Sequence, residues 1–249
     1  MMKLFFVIGI SLFLFSCKDN SKNSKQKMTK ETYQGKIDSH SNIIIKLILK
    51  DNLIYGELNY PNKKDSSSFK LIGEIKSDST YRIQVFSDSG YVFGIISFNY
   101  LRKRINGTWF SPSELQEQNI ELAKLDNEPN NLQMLTNDSD KTGTYFYTFG
   151  EATYNGQIEL VKLKDNIYSF SLFAVGRGAA PAIVEIETDT IEITKHEFKY
   201  RIKNTDSCSI RVELYKEFIN VVSEDNSDCF LQYGMNTYPD GYYLKLKTK

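Results

Sequence analysis

From residue 33 onward the apolar side chains recur mainly at every second position. In residues 42–50, NIIIKLILK, Ile45, Leu47 and Leu49 point one way while Lys46 and Lys50 point the other. A repeat of two belongs to a strand with one buried face, and windows with the 3.6-residue repeat of an amphipathic helix are few. Eight such runs follow one another at 33–39, 42–50, 52–60, 68–75, 80–87, 90–100, 104–111 and 119–125. Asp38-Ser39-His40, Asp51-Asn52, Ser77-Asp78-Ser79 and Ser87-Asp88-Ser89-Gly90 mark turns between them. Runs about 8–12 residues apart with short turns predict hairpin after hairpin, an antiparallel meander. Eight strands of this kind can curl into a small barrel, which leaves no exposed edge.

The alternation lapses over residues 126–142, where Pro129 and several Asn and Asp predict a linker. It resumes in ten short runs, at 143–149, 156–163, 166–175, 182–187, 190–194, 197–202, 208–215, 218–223, 229–234 and 242–247. The prediction is an all-β chain of two antiparallel domains, 32–125 and 143–249, each a meander barrel or a sandwich. The string Leu-Lys-Asp-Asn stands at residues 49–52 and again at 163–166, in both cases at the turn after the first long strand. Asp-Asn suits a two-residue hairpin turn. Leu47 and Leu49 in one copy, Val161 and Leu163 in the other, are expected to point inward and the lysines outward. Leu160-Val161 breaks the alternation and predicts a bulge. Two domains of like topology, from an old duplication, would account for the repeat; so would a turn common among lysine-rich strands.

Ahead of these runs lies MMKLFFVIGISLFLFSC. Residues 4–15 are apolar but for Gly9 and Ser11. This is shorter than the roughly 20 residues of a spanning helix and fits the apolar region of a secretory signal, behind the positive Lys3. Leu14-Phe15-Ser16-Cys17 resembles the lipobox of bacterial lipoproteins, although Phe15 is bulkier than the residue usual there. The resemblance implies that residues 1–16 are removed and that Cys17 carries the lipid. With two or more chains such an anchor holds stably. Lys18 in place of Asp after the cysteine implies the outer membrane, with the periplasmic face and the cell surface both open. Residues 17–31, rich in Ser, Asn and Lys, read as a flexible tether.

Lys and Arg number 31, as do Asp and Glu. A balanced chain lacks the basic excess of a nucleic-acid binder. Cys208 and Cys229 remain after Cys17, an even pair in an exported chain, and predict a disulfide. It would close a loop of about 20 residues, worth roughly 3 kcal/mol in the chain-entropy model.

Candidate chemistry is sparse. His40 and His196 both fall in polar turns and read as exposed. There is no His-x-x-x-His, no Gly-x-Ser-x-Gly and no Gly-rich phosphate loop. Residues 138–143, DSDKTG, match the first half of an EF-hand loop, but Phe149 stands where the bidentate Glu would be. No metal and no cofactor is implied. Candidate binding residues are Arg177, in the small-residue connection GRGAAP, and Tyr233, Tyr238 and Tyr243 near the C-terminus. Alternation puts Tyr242, Leu244 and Leu246 on a buried face and Tyr243, Lys245 and Lys247 on an exposed one. The ending Cys229…Tyr233-Gly234…Asp240-Gly241-Tyr242 is similar to the tails of small disulfide-bonded β domains of bacterial envelope proteins. These features point to an envelope protein that works by binding a protein partner or a glycan. The alternatives are an inhibitor of an extracellular enzyme such as a lysozyme, or a hydrolase with remote catalytic residues.

Overall fold

The computed structural model describes residues 28–61, 68–100, 104–126, 128–133, 140–150, 154–176, 182–203, 205, 207–224, 229, 237 and 239–247. Cys17, Arg177, Tyr233 and Tyr238 lie outside them. The fold is all-β. The first eight strands are β1 (Thr29–Ile37), β2 (Ser41–Lys50), β3 (Leu53–Asn59), β4 (Phe69–Ile75), β5 (Thr80–Phe86), β6 (Tyr91–Asn99), β7 (Arg104–Ser111) and β8 (Gln116–Lys124). Each pairs antiparallel with the next, and β8 returns to β1 with Ile37 opposite Ile120, closing the barrel. Ile43, Ile45, Leu47 and Leu49 point into it from β2, as the alternation requires, and meet Tyr33, Ile83, Ile96, Trp109 and Ile120 in one core. Gly94 is part of that packing. A Cβ placed there would lie 2.3 Å from the Trp109 ring, so the indole takes the space that a side chain on β6 would fill.

Eight further strands follow: β9 (Gly143–Phe149), β10 (Tyr154–Lys164), β11 (Ile167–Val175), β12 (Ile183–Glu192), β13 (Glu197–Arg201), β14 (Ser209–Leu214), β15 (Phe218–Ser223) and β16 (Gly241–Lys245). They repeat the pairing order of the barrel at every step but one. β9 to β12 pair in sequence, β13 to β16 pair in sequence, and β16 returns to β9. Between β12 and β13 the described residues show only the bridge Thr194–Glu197. This set encloses its own core of Tyr145, Ile158, Leu160, Phe170, Ile210, Val212, Val221 and Tyr243. Cys208 and Cys229 form the expected disulfide, both fully buried in that core. The sets are joined in one sheet by a short parallel pairing of Tyr91 and Val92 on β6 with Thr148 and Phe149 on β9.

Three expectations change, and a fourth lies outside the described residues. Residues 182–187 and 190–194 form one strand, β12. The polar gap between them coincides with a register shift opposite Phe170–Leu172, so the extra residue is absorbed in a bulge without a chain break. The strand expected at 229–234 falls outside the described residues except for Cys229. Residues 29–31, expected in the tether, open β1; they pair in turn with Leu49, Ile48 and Leu47 of β2. In the second Leu-Lys-Asp-Asn copy, Val161 and Leu163 are exposed, at 49% and 57%. Leu160 takes the inward position there, the register shifts between Lys162 and Lys164, and the hairpin runs out beyond the end of the core. Both copies do form two-residue turns after the second strand of their set, and in each it is the Asp, Asp51 or Asp165, that takes positive φ.

Candidate functional site

The two sets of strands meet over the outer face of the barrel. Outward-pointing Tyr55, Ile72, Phe86 and Val92 pack against Phe218 of β15 and Leu244 of β16. Phe218 lies parallel to both Tyr55 (5.8 Å) and Tyr215 (4.4 Å). A polar clasp borders these rings. The Tyr55 hydroxyl donates to Glu217 at 2.7 Å, and Lys70 reaches Glu57 at 2.9 Å and Glu217 at 3.2 Å. Burial alone would depress the Lys70 ammonium, but hydrogen bonding to Glu57 and the field of Glu217 raise it above its ordinary value.

Two recesses border this contact. The first is a polar cleft of about 530 Å³ between the first Leu-Lys-Asp-Asn turn, residues 50–53, and the β12–β13 turn, Lys195, His196 and Glu197. Glu74, Glu213, Leu214, Tyr215, Asn220 and Tyr242 complete its wall. Of its carboxylates, Glu213 is engaged by Arg211, by the Asn220 amide at 3.0 Å and by the Tyr215 hydroxyl at 3.4 Å. Burial raises the Tyr215 phenol, and Arg211 draws it part of the way back. His196 is half-buried rather than exposed, and its carbonyl accepts the Leu214 amide at 2.7 Å. His40 is exposed as expected, its Nδ1 against the Asp38 carbonyl. Among the described residues no group of three or more His, Cys, Asp and Glu is placed to hold a metal ion.

The second recess is an aromatic groove of about 360 Å³, formed by Tyr147 and Phe149 of β9, Tyr154 of β10 and Tyr242 of β16, with Gln84, Val92, Asp240 and Gly241. Phe149 and Tyr154 meet edge to face at 6.5 Å. Burial, helped by Tyr154 and Asp240, pushes the Tyr147 phenol up to about 12. Burial and the nearby Glu74 also raise the Tyr242 phenol. Both hydroxyls therefore stay protonated and uncharged across ordinary pH. The Asp240 carboxylate is held by Ser223, whose amide donates at 2.5 Å and whose hydroxyl donates at 2.7 Å. Gly241, at φ 137°, has open space where a Cβ would stand, so bare backbone lines this part of the wall.

Of the tyrosines singled out from sequence, Tyr243 is corrected. It is fully buried, its ring edge on Tyr147 at 4.8 Å and its hydroxyl donating to the Pro239 carbonyl at 2.6 Å. The alternation argument failed because β16 is covered on both faces. Tyr243 faces the core of the second set, while Tyr242 and Leu244 face the junction. Tyr242, expected in the core, is instead half-buried and lines both recesses. Sequence reasoning missed Tyr147, Phe149 and Tyr154; the aromatic run GTYFYTF is a local signal for the first two, and Tyr154 lies five residues beyond it. The chain matches no protein-family model, no curated protein and no solved structure.

Proposed function

We propose that this chain is a lipid-anchored protein of the bacterial cell envelope, held at the outer membrane through Cys17, and that it acts by binding rather than by catalysis. In this reading residues 29–125 and 143–249 are its two β domains, and the aromatic groove at their junction is the binding site. The groove carries the proposal: four aromatic side chains converge on one recess with a fixed carboxylate and an amide. Recesses that are mainly apolar with a few convergent polar groups are where ligands bind in most proteins. The polar cleft, by contrast, brings only two phenol rings, Tyr215 and Tyr242, among its described lining residues.

Two measurements test this. Cys17→Ala is expected to move the protein from the membrane fraction to the soluble fraction; retention in the membrane would overturn the anchor. In the soluble form, capture of envelope components is expected to fall when Tyr154 is replaced by Ala and to persist when Lys50 in the polar cleft is replaced. The reverse pattern would move the binding site to the cleft.

A further inference from the structure

Resting on the reading of the aromatic groove as the binding site, we infer that its ligand is an uncharged saccharide. The groove combines the two things a sugar ring needs: flat aromatic surface for its C–H faces, and polar groups at the edge for its hydroxyls. Tyr147, Phe149, Tyr154 and Tyr242 supply the surface. Aromatic faces attract polarised hydrogens, and a tyrosine adds a hydroxyl at the rim. Gln84 both donates and accepts, and Asp240 accepts. Since Ser223 already orients the Asp240 carboxylate through two hydrogen bonds, the acceptor is set before a ligand arrives. Such preorganisation lowers the ordering cost of binding.

Charge and size narrow the class. Among the described residues lining the groove there is no Lys or Arg, and Asp240 is the one carboxylate. A phosphate, uronate or sulfate would meet a like charge there, with no cation among these residues to offset it. At about 360 Å³ the groove lies near the lower end of small-molecule sites, roughly 300–1,000 Å³. A protein partner of ordinary affinity buries about 1,600 Å² in all, far more than this recess offers. The bare backbone at Gly241 fits the same picture, since a side chain there would stand in open space beside the groove that a ring could otherwise occupy.

The test uses the full chain in a sugar-free detergent, titrated with neutral oligosaccharides of hexoses and of N-acetylhexosamines, and with polygalacturonate as the anionic counterpart. Saturation-transfer NMR and tyrosine fluorescence report binding. At least one neutral oligosaccharide is expected to bind and polygalacturonate is not. Tyr154→Ala should weaken binding roughly tenfold, the scale of one lost aromatic contact, while Tyr154→Phe stays within about threefold of the parent. Gln84→Ala, at a side chain outside the core, should also weaken it, and this keeps the test intact if Tyr154→Ala fails to fold. If no neutral saccharide binds while envelope capture still depends on Tyr154, the saccharide is excluded and the binding groove stands. If a saccharide binds equally well to Tyr154→Ala and Gln84→Ala, the assignment to this groove is overturned. Binding of polygalacturonate in preference to the neutral sugars would overturn the charge argument.

Discussion

Glu31 is the residue that local sequence reasoning placed least well. It stands at the edge of a polar, lysine-rich stretch, yet it points into the end of the barrel with its side chain 12% exposed. Tyr33 donates to its carboxylate at 2.6 Å and Tyr81 at 3.1 Å, and Lys124 pairs with the other oxygen. Asn130, from the stretch expected to be a free linker, donates to the Glu31 and Leu47 carbonyls and so caps the same barrel end. A single-strand window holds only Tyr33 of these partners; Tyr81, Lys124 and Asn130 are all distant in sequence. Replacing Glu31 with Ala leaves two buried hydroxyls and one ammonium without their acceptor. Leaving such groups unsatisfied costs about 1–3 kcal/mol, read as a lower midpoint of urea unfolding. Glu31→Gln keeps an acceptor for the tyrosines and loses only the charge on Lys124, so its loss is expected to be smaller. Equal losses for the two variants would mean that the ion pair, not the hydroxyls, carries the stability.

The strands were largely legible because each has one face in a core and a turn at each end. The failures came where that premise broke: at the β12 bulge, where one strand read as two, and at β16, where both faces are covered. The β12–β13 connection is the element most open to improvement. Thr194 and Glu197 exchange backbone hydrogen bonds at 3.0 and 3.1 Å around Lys195 at φ 53° and His196 at φ 83°. Two consecutive positive φ values define a type I′ turn, which strongly prefers Asn-Gly. Side chains with a Cβ pay roughly 1–2 kcal/mol in that region. Replacing Lys195-His196 by Asn-Gly is therefore expected to stabilise the protein by about 1–2 kcal/mol, raising the unfolding midpoint. The same change should slow amide exchange at the Thr194–Glu197 bridge. No change in stability would show that the native pair already relieves its strain through contacts in the polar cleft.

At the scale of the whole molecule, the junction could not be read from sequence because it is made by the outward positions of strands whose inward positions were already accounted for. Tyr55, Ile72 and Phe86 point outward from the barrel and are covered by Phe218 and Leu244, from strands far along the chain. The burial of so many tyrosines, in both cores and at the junction, has a consequence at high pH. Burial pushes the Tyr147 and Tyr200 phenols up to about 12, Asp189 adding to the effect at Tyr200. Tyr33, Tyr55, Tyr81, Tyr145 and Tyr242 are raised as well, each chiefly by burial, with Glu31 adding to it at Tyr33 and Tyr81 and Glu217 at Tyr55. An exposed tyrosine titrates near about 10. A folded value above the unfolded one means that the fold prefers the protonated phenol. The stability this contributes is complete below about pH 10 and is lost as pH climbs through the folded values, since the unfolded chain then releases more protons. The expected result is a stability plateau that ends near pH 10 and falls steeply toward pH 12. Phenolate absorbance should lag behind that of the urea-unfolded chain over the same range and then rise together with loss of the strand signal in circular dichroism. If instead the phenolates appear near pH 10 with the fold intact, the tyrosines are reached by solvent without unfolding, and the junction is looser than its packing implies.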